Sequence, residues 1–306
     1  MMSGLSIKDV YNSFILCARS RPVVIFVYAW PTFVSYLIAS QGGAPFNPLE
    51  AFSVILSVAL VGFSIYFYND LMDLQDDLKN LELGNPTPAN RPLGSGRISS
   101  GRLKKFIVAT GASGLIVAAS ININVLVLQS LFIILGLLYS MEPVRLKKRF
   151  MMKQPTIAAG CVLANLTGAM AVGGITPPIL FMLLLQFMIC MGLNPLMDVR
   201  DVRGDRIMGI KSIPVVWGPE LTVRLYFASI IVIGAATLVG YSSVGFNAAM
   251  PVLAILILGA WLYVSLPLLK RWDDPKFVNL LIFKKTFPLY IALQLVPLIG
   301  VMNLPL

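Results

Sequence analysis

Nine apolar runs set the pattern of the chain. They fall near residues 22–40, 51–69, 106–121, 124–141, 156–173, 178–197, 224–242, 249–269 and 279–303. Most approach the roughly 20 residues that a helix needs to cross a hydrocarbon core. Runs of this length predict α-helices, which satisfy their backbone hydrogen bonds internally as lipid demands. Only Asn122 and its neighbours part the third run from the fourth. An eight-span reading that merges or drops one of these two is the competitor. Residues 1–20 read as a polar, amphipathic lead-in.

The polar connections alternate in character. Gln41 to Leu49, Asn122 to Asn124, Gly173 to Pro178 and Ser242 to Asn247 are short and nearly uncharged. Leu71 to Lys105, Glu142 to Pro155, Asp198 to Val223 and Lys270 to Lys276 are long and charged. On the nine-span map all 24 Lys and Arg residues fall on one side of the membrane. The positive-inside rule then predicts a multi-pass protein of the cell membrane, with its N-terminus and charged loops cytoplasmic and its C-terminus outside. Losing one span would split the basic residues between both faces, so the census favours nine.

Composition agrees. The chain of 306 residues is 57% hydrophobic and 12% charged, against about 25% charged in a soluble domain. Mean hydropathy is +0.82. A net charge of +10 reads as membrane topology, with no nucleic-acid partner. Arg19 and Arg21 precede the first run without a convincing cleavage site, so the start is not a removable signal. Cys17, Cys161 and Cys190 are scattered and read as small packing residues. The absence of histidine excludes a Ser-His or Cys-His nucleophile and a His-ligated metal or haem.

The candidate chemistry lies in two stretches that follow apolar runs. Asp70, Asp73 and Asp77 form one Asp-x-x-Asp-x-x-x-Asp pattern, and Asp198, Asp201 and Asp205 form another. Offsets of three and seven fall within roughly 60° on a helix, so each stretch aligns three carboxylates on one face. Such a row repels itself near a bilayer unless cations compensate it. Mg²⁺ takes oxygen ligands and is usually held by carboxylates and substrate phosphates together. The basic loops supply phosphate partners, Arg as a bidentate fork and Lys as a point charge. The glycine-containing turn between Leu93 and Gly96 offers a weaker signal, backbone N–H groups for an anion. The chain reads as one polytopic domain, 1–306, with an internal pseudo-repeat carrying its motifs at 69–77 and 198–205.

Five segments in order resemble the UbiA-type intramembrane prenyltransferases. They are Arg21-Pro22, the stretch from Asn69 to Asp77, and Asn-Arg-Pro-Leu-x-Ser-Gly-x-Ile-Ser from Asn90 to Ser99. Tyr139-Ser140 through Lys147, and Asp201-Val202-Arg203-Gly204-Asp205-Arg206 through Pro214, complete the set. Two features depart from the pattern: the long stretch Leu78 to Ala89, and an acid at Glu142. The resemblance implies an all-α integral membrane fold of nine helices around a central cavity, capped by charged loops on the cytoplasmic side and open sideways to lipid. It implies Mg²⁺-dependent transfer of a polyprenyl group from an isoprenyl diphosphate to a lipophilic acceptor among membrane lipids. In that mechanism Asn69, Asp73 and Asp77 serve one ion, and Asp198, Asp201 and Asp205 the other. Asp70 is either a further ligand or the partner of a basic neighbour. Arg21, Arg91, Arg145 and Lys147 are candidate diphosphate partners. Tyr66, Tyr68 and Tyr139 are candidates to stabilise a carbocation through their ring faces.

Three acceptor classes fit such an enzyme: a glyceryl phosphate ether, to which the Asn90–Ser99 wording leans; an aromatic quinone precursor resembling 4-hydroxybenzoate or naphthoate; and a terpenoid or tetrapyrrole. A secondary transporter is the alternative from another class, but it would place its ionisable residues near the midplane. Asp76 is expected off the acidic face and in solvent. Asp273 and Asp274 read as an interfacial turn. The tryptophans Trp30, Trp217, Trp261 and Trp272 read as interfacial anchors or packing.

Overall fold

The structure is a computed structural model that describes residues 7–42, 45–83 and 91–303. The chain enters through α1 (Ile7–Arg19), which is bent 64° from the first span, Val24–Ser40. Pro22 stands at the bend, where it removes a backbone donor. The first span is a π-helical turn, Val24–Ala29, running into α2 (Trp30–Ser40). Then come α3 (Pro48–Met72), α4 (Leu74–Glu82), α5 (Ser100–Ile121), α6 (Ile123–Ser140), α7 (Lys153–Val172) and α8 (Pro177–Gly192). The second half holds α9 (Pro195–Ile207), α10 (Ile213–Trp217), α11 (Pro219–Val244), α12 (Ala249–Ser265), α13 (Leu268–Arg271) and α14 (Pro275–Leu280). A second π-helical turn, Leu281–Thr286, leads into α15 (Phe287–Val301).

Among the described residues, eight helical units are long and apolar enough to cross a membrane, and α1 with Val24–Ser40 makes a ninth when the bent pair is taken as one span. The doubtful third and fourth spans are separate. Asn122 alone divides them: extended at φ −167° and ψ 170°, it ends α5 and begins α6. Its side chain accepts from Val125 N at 2.9 Å and donates to the Met170 carbonyl at 3.1 Å. One residue suffices because its amide caps the new helix and ties the turn to α7.

Neighbour contacts run α2, α3, α5, α6, α7, α8, α11, α12, α15 and back to α2, closing the spans into a ring. The outer faces carry exposed apolar side chains such as Ile116, Val239, Leu256 and Tyr263, as expected where lipid is the solvent. Inside, separate apolar clusters form, the two largest lying on opposite halves of the ring. Helix contact relies on small residues, the usual device where lipid leaves no hydrophobic drive between helices. A Cβ at Gly168 of α7 would overlap the Thr32 carbonyl of α2. At the same junction the Thr32 hydroxyl donates to the Ala164 carbonyl at 2.8 Å.

Gly168→Ala is therefore expected to lower unfolding stability by about 1–3 kcal/mol or more. Gly259→Ala on α12, where an added Cβ meets nothing within 4 Å, is expected to be neutral or to stabilise by a few tenths of a kcal/mol to about 1. Thermal unfolding of both variants in detergent checks the contrast.

Candidate active site

Two breaks in the helices create the site. Asp73 ends α3 with φ −97° and ψ 6°, and α4 restarts one residue later. The break keeps the helical bonds Asp73 N to Asn69 O (2.9 Å) and Asp77 N to Asp73 O (2.8 Å), so the carboxylates stay on one face. The second break lies at Leu193 and Asn194, where Pro195 opens α9 and carries Asp198, Asp201 and Asp205. Helices α4 and α9 touch each other. Tyr139, at the end of α6, lies within electrostatic range of both Asp73 and Asp198. The two acidic rows therefore flank one hollow.

Each described carboxylate of these rows has a cation beside it. Arg21 holds Asp70, with Nε donating to Oδ2 at 3.1 Å, and Arg91 approaches the same group at 3.8 Å. Arg91 also pairs with Asp77. Lys147 pairs with Asp73, which Arg145 approaches at 3.3 Å. Lys153 bridges Asp198 at 2.7 Å and Asp205 at 3.8 Å. Arg200 grips Asp201 in a fork of two 2.8 Å bonds and reaches Asn279 at 2.8 Å. Asn69 donates to Asp73 at 2.7 Å and to the Ser140 hydroxyl at 2.9 Å. All these aspartates except Asp201 are under 10% exposed. Burial pushes the Asp77 carboxyl above its ordinary value, against the opposing pull of Arg91. Buried charge of this density is tolerable only because it is paired.

Below the first row lies a cavity of about 120 Å³, lined by Tyr28, Tyr66, Asn69, Phe132, Tyr139 and Gly160 among others. The Tyr28 and Tyr66 hydroxyls meet at 3.3 Å, and the Arg21 guanidinium stands 5.2 Å from the centre of the Tyr66 ring. Below the second row is a cavity of about 90 Å³, lined by Asn194, Met197, Tyr226, Trp261, Phe287 and Tyr290 among others.

The structure thus gathers Asn69, Asp70, Asp73, Asp77, Asp198, Asp205, Arg21, Arg91, Arg145, Lys147, Tyr66 and Tyr139 at the hollow, with Asp201 at its edge. Tyr68 lines neither cavity; two residues on from Tyr66 it is turned roughly 200° around α3. Asp76 is not in solvent: it is buried and held by Arg145 at 2.7 Å and Lys147 at 3.5 Å. In the turn after Arg91 the N–H groups of Ser95, Gly96, Arg97 and Ile98 bond to carbonyls within the turn. Asn90 lies outside the described residues, as does the second half of the stretch from Leu78 to Ala89. Cys161 and Cys190 are buried side by side, and Trp261 is a cavity wall with Nε1 bonded to the Tyr226 hydroxyl at 2.7 Å. Asp274 caps α14 and pairs with Arg271, an interfacial turn.

Sequence reasoning passed over Lys153, Gln154, Asn194 and Tyr28. Gln154 donates to Asp198 at 2.9 Å and accepts from Asn194 at 2.9 Å. A signal existed for Asn194: an asparagine four residues before an aspartate occurs as Asn69–Asp73 and again as Asn194–Asp198. Lys153 had been absorbed into the topological census of basic residues.

Among the described residues no three acidic or sulfur groups already form a metal-ready cluster, since cations separate the carboxylates. The donor set nevertheless fits a hard divalent ion: every candidate ligand is oxygen, and Asp205 Oδ2 is buried without a hydrogen-bond partner.

Among the described residues, a ring of up to nine spans with paired acidic breaks at one rim has the architecture of an intramembrane enzyme. The chain matches the UbiA prenyltransferase family over residues 28–284 and belongs to it. It is an integral membrane prenyltransferase. A relative is the digeranylgeranylglyceryl phosphate synthase of Methanopyrus kandleri, 28% identical over 84% of this chain and 90% of that one. Two solved structures share the fold. A digeranylgeranylglyceryl phosphate synthase superposes with a TM-score of 0.70 at 20% identity, over 97% of this chain and 100% of that one. A UbiA homologue from Archaeoglobus fulgidus, bound to GPP and Mg²⁺, gives 0.71 at 22% identity, over 94% and 99%.

Lys153 carries a stability test independent of activity. Lys153→Met leaves Asp198 and Asp205 without their cation and is expected to cost about 3–5 kcal/mol. Adding Asp198→Asn in the same chain should recover part of that loss. A double-mutant cycle of unfolding free energies measures it.

Proposed function

We propose that this enzyme transfers a geranylgeranyl group from its diphosphate to a glyceryl phosphate ether at the cytoplasmic surface of the membrane. The single observation that carries the chemistry is the alternation of buried carboxylates and cations above an apolar, aromatic cavity. The glyceryl acceptor is supported by the activity named for the Methanopyrus kandleri relative and by the wording of the Arg91–Ser99 run. Ionisable groups gathered at one rim, rather than midway through the spans, speak against a transporter.

Asn69, Asp73 and Asp77 would hold one Mg²⁺, and Asp198, Asp201 and Asp205 another. Bound there, Mg²⁺ supplies Lewis-acid stabilisation of a diphosphate leaving group. Asp70 is the partner of Arg21 in this reading. Arg21, Arg91, Arg145, Lys147 and Lys153 neutralise the aspartates before substrate arrives. As the substrate's phosphates enter, these cations turn to phosphate oxygens, where charge grows as the C1–O bond breaks. Tyr28, Tyr66 and Tyr139 present ring faces and hydroxyl dipoles to the allylic cation, a stabilisation of roughly 0.5–2 kcal/mol per ring face. The apolar walls exclude water, which would otherwise capture the cation. The acceptor hydroxyl then forms the new C–O bond to C1 as the C1–O bond to diphosphate breaks, and its proton leaves with the diphosphate.

Purified protein with labelled geranylgeranyl diphosphate, Mg²⁺ and a panel of glycerol-based and aromatic acceptors tests this by mass spectrometry. The expected product is the glyceryl diether phosphate; a prenylated aromatic ring and no ether would replace the acceptor assignment. Chelation of divalent ions should abolish turnover, and Asp73→Ala should lower it by about 10²–10³-fold. Near-normal turnover of Asp73→Ala would remove that residue from the metal site. For sidedness, a cysteine at exposed Lys276 should react with an impermeant maleimide only in inside-out vesicles; the native cysteines are buried.

A further inference from the structure

The second cavity ends in an amide and a phenol, Gln186 and Tyr290, rather than hydrocarbon. Its walls are apolar, including Val27, Ile189, Leu193, Ile282 and Phe287, and its mouth is Asn194, beside the Asp198 row. About two helical turns further into the membrane stand Gln186 of α8 and Tyr290 of α15, both lining the cavity. Gln186 Nε2 donates to the Tyr290 hydroxyl at 3.2 Å, and the hydroxyl stands 3.4 Å from Gln186 Oε1. Gln186 also donates to Cys190 Sγ at 3.5 Å.

More polar groups stand behind this pair. Cys161 of α7 adjoins Cys190 of α8, and Ala169 shares a cluster with Met182. In that antiparallel register Gln186 is level with Asn165. Gln294 lies one turn beyond Tyr290 on α15. Gln186, Asn165 and Gln294 are all fully buried. Both polar atoms of Asn165 and both of Gln294 lack a hydrogen-bond partner.

Amides are expensive to place in the middle of a membrane protein, and apolar side chains would close this cavity without that cost. What amides add is rejection. A floor of leucines can shift to admit more hydrocarbon, so it discriminates one isoprene unit weakly. A hydrogen-bonded floor cannot: a chain pushed past Gln186 must break its bond to Tyr290 and leave both groups unpaired against hydrocarbon. We propose that Gln186 and Tyr290, backed by Asn165 and Gln294, set the length of the isoprenoid chain that the enzyme accepts. This rests on the prenyl-transfer reading above, with the chain anchored by its phosphates at the acidic rim.

The test compares wild-type protein with Gln186→Ala, which opens the floor, and Tyr290→Phe, which keeps the ring and removes the hydroxyl. Donors are geranyl, geranylgeranyl and geranylfarnesyl diphosphate. A second series keeps the geranylgeranyl donor and varies the acceptor's own chain by one isoprene. The kcat/KM ratio of geranylfarnesyl to geranylgeranyl donor should rise about tenfold in Gln186→Ala and less in Tyr290→Phe. A shift confined to the acceptor series also supports the floor and assigns the cavity to the acceptor's chain. Ratios unchanged in both series overturn the proposal. So does loss of geranyl turnover in both variants, because that donor is too short to reach the floor and its loss places the pair in folding or chemistry. If the wild-type protein joins no donor to a glycerol-based acceptor, the acceptor assignment fails instead, and donor-length ratios read with an aromatic acceptor decide the floor.

Discussion

Buried carboxylates beside a bilayer must be compensated, and this constraint organises the rest of the molecule. Desolvating one ion costs several kcal/mol even after relaxation, and two rows of aspartates multiply the demand. The chain answers with cations from five places: Arg21 before the first span, Arg91 after α4, Arg145 and Lys147 before α7, Lys153 at its start, and Arg200 within α9. These pairings tie distant parts of the sequence to one rim. The short helices α4 and α9 meet across the mouth.

The same pairing prepares the site for an anionic substrate. In the proposed function the change on binding is an exchange of partners at cations that already stand beside the carboxylates. Preorganised charge of this kind is worth more than charge that must reorganise during reaction. Beneath it the walls turn abruptly aromatic and aliphatic. A site half charge and half hydrocarbon suits a molecule built the same way, a diphosphate on a greasy tail.

Much of this was legible from the residues alone. Apolar run length gave the spans, and the Lys and Arg census separated nine from eight before Asn122 was seen to divide α5 from α6. The paired Asp patterns marked the rim because their spacing fits one helix face. The misreadings have a common source: helix periodicity says which face a residue occupies, not what lies opposite. Asp76 falls off the acidic face but meets Arg145 from another segment. Tyr68 has the right depth and the wrong azimuth. Lys153 looked like one more topological charge until folding set it between Asp198 and Asp205. The amides Asn165, Gln186 and Gln294 carried no signal, since single polar residues in long apolar runs show no periodic pattern.

The placement of the charged rim follows from where the reactants and products must go. Diphosphate is soluble only in water, while the prenyl chain and the joined product are soluble only in lipid. A site at the midplane would have to move a highly charged leaving group through hydrocarbon, at great cost per charge. A site in a soluble domain would have to lift the acceptor out of the bilayer. Setting the aspartate and arginine rows at the helix ends, with the aromatic cavity directly below, lets each half of the reaction stay in its own solvent. In the proposed reaction the C1–O bond that breaks would lie at the boundary between them, beside the paired charges and above the apolar walls.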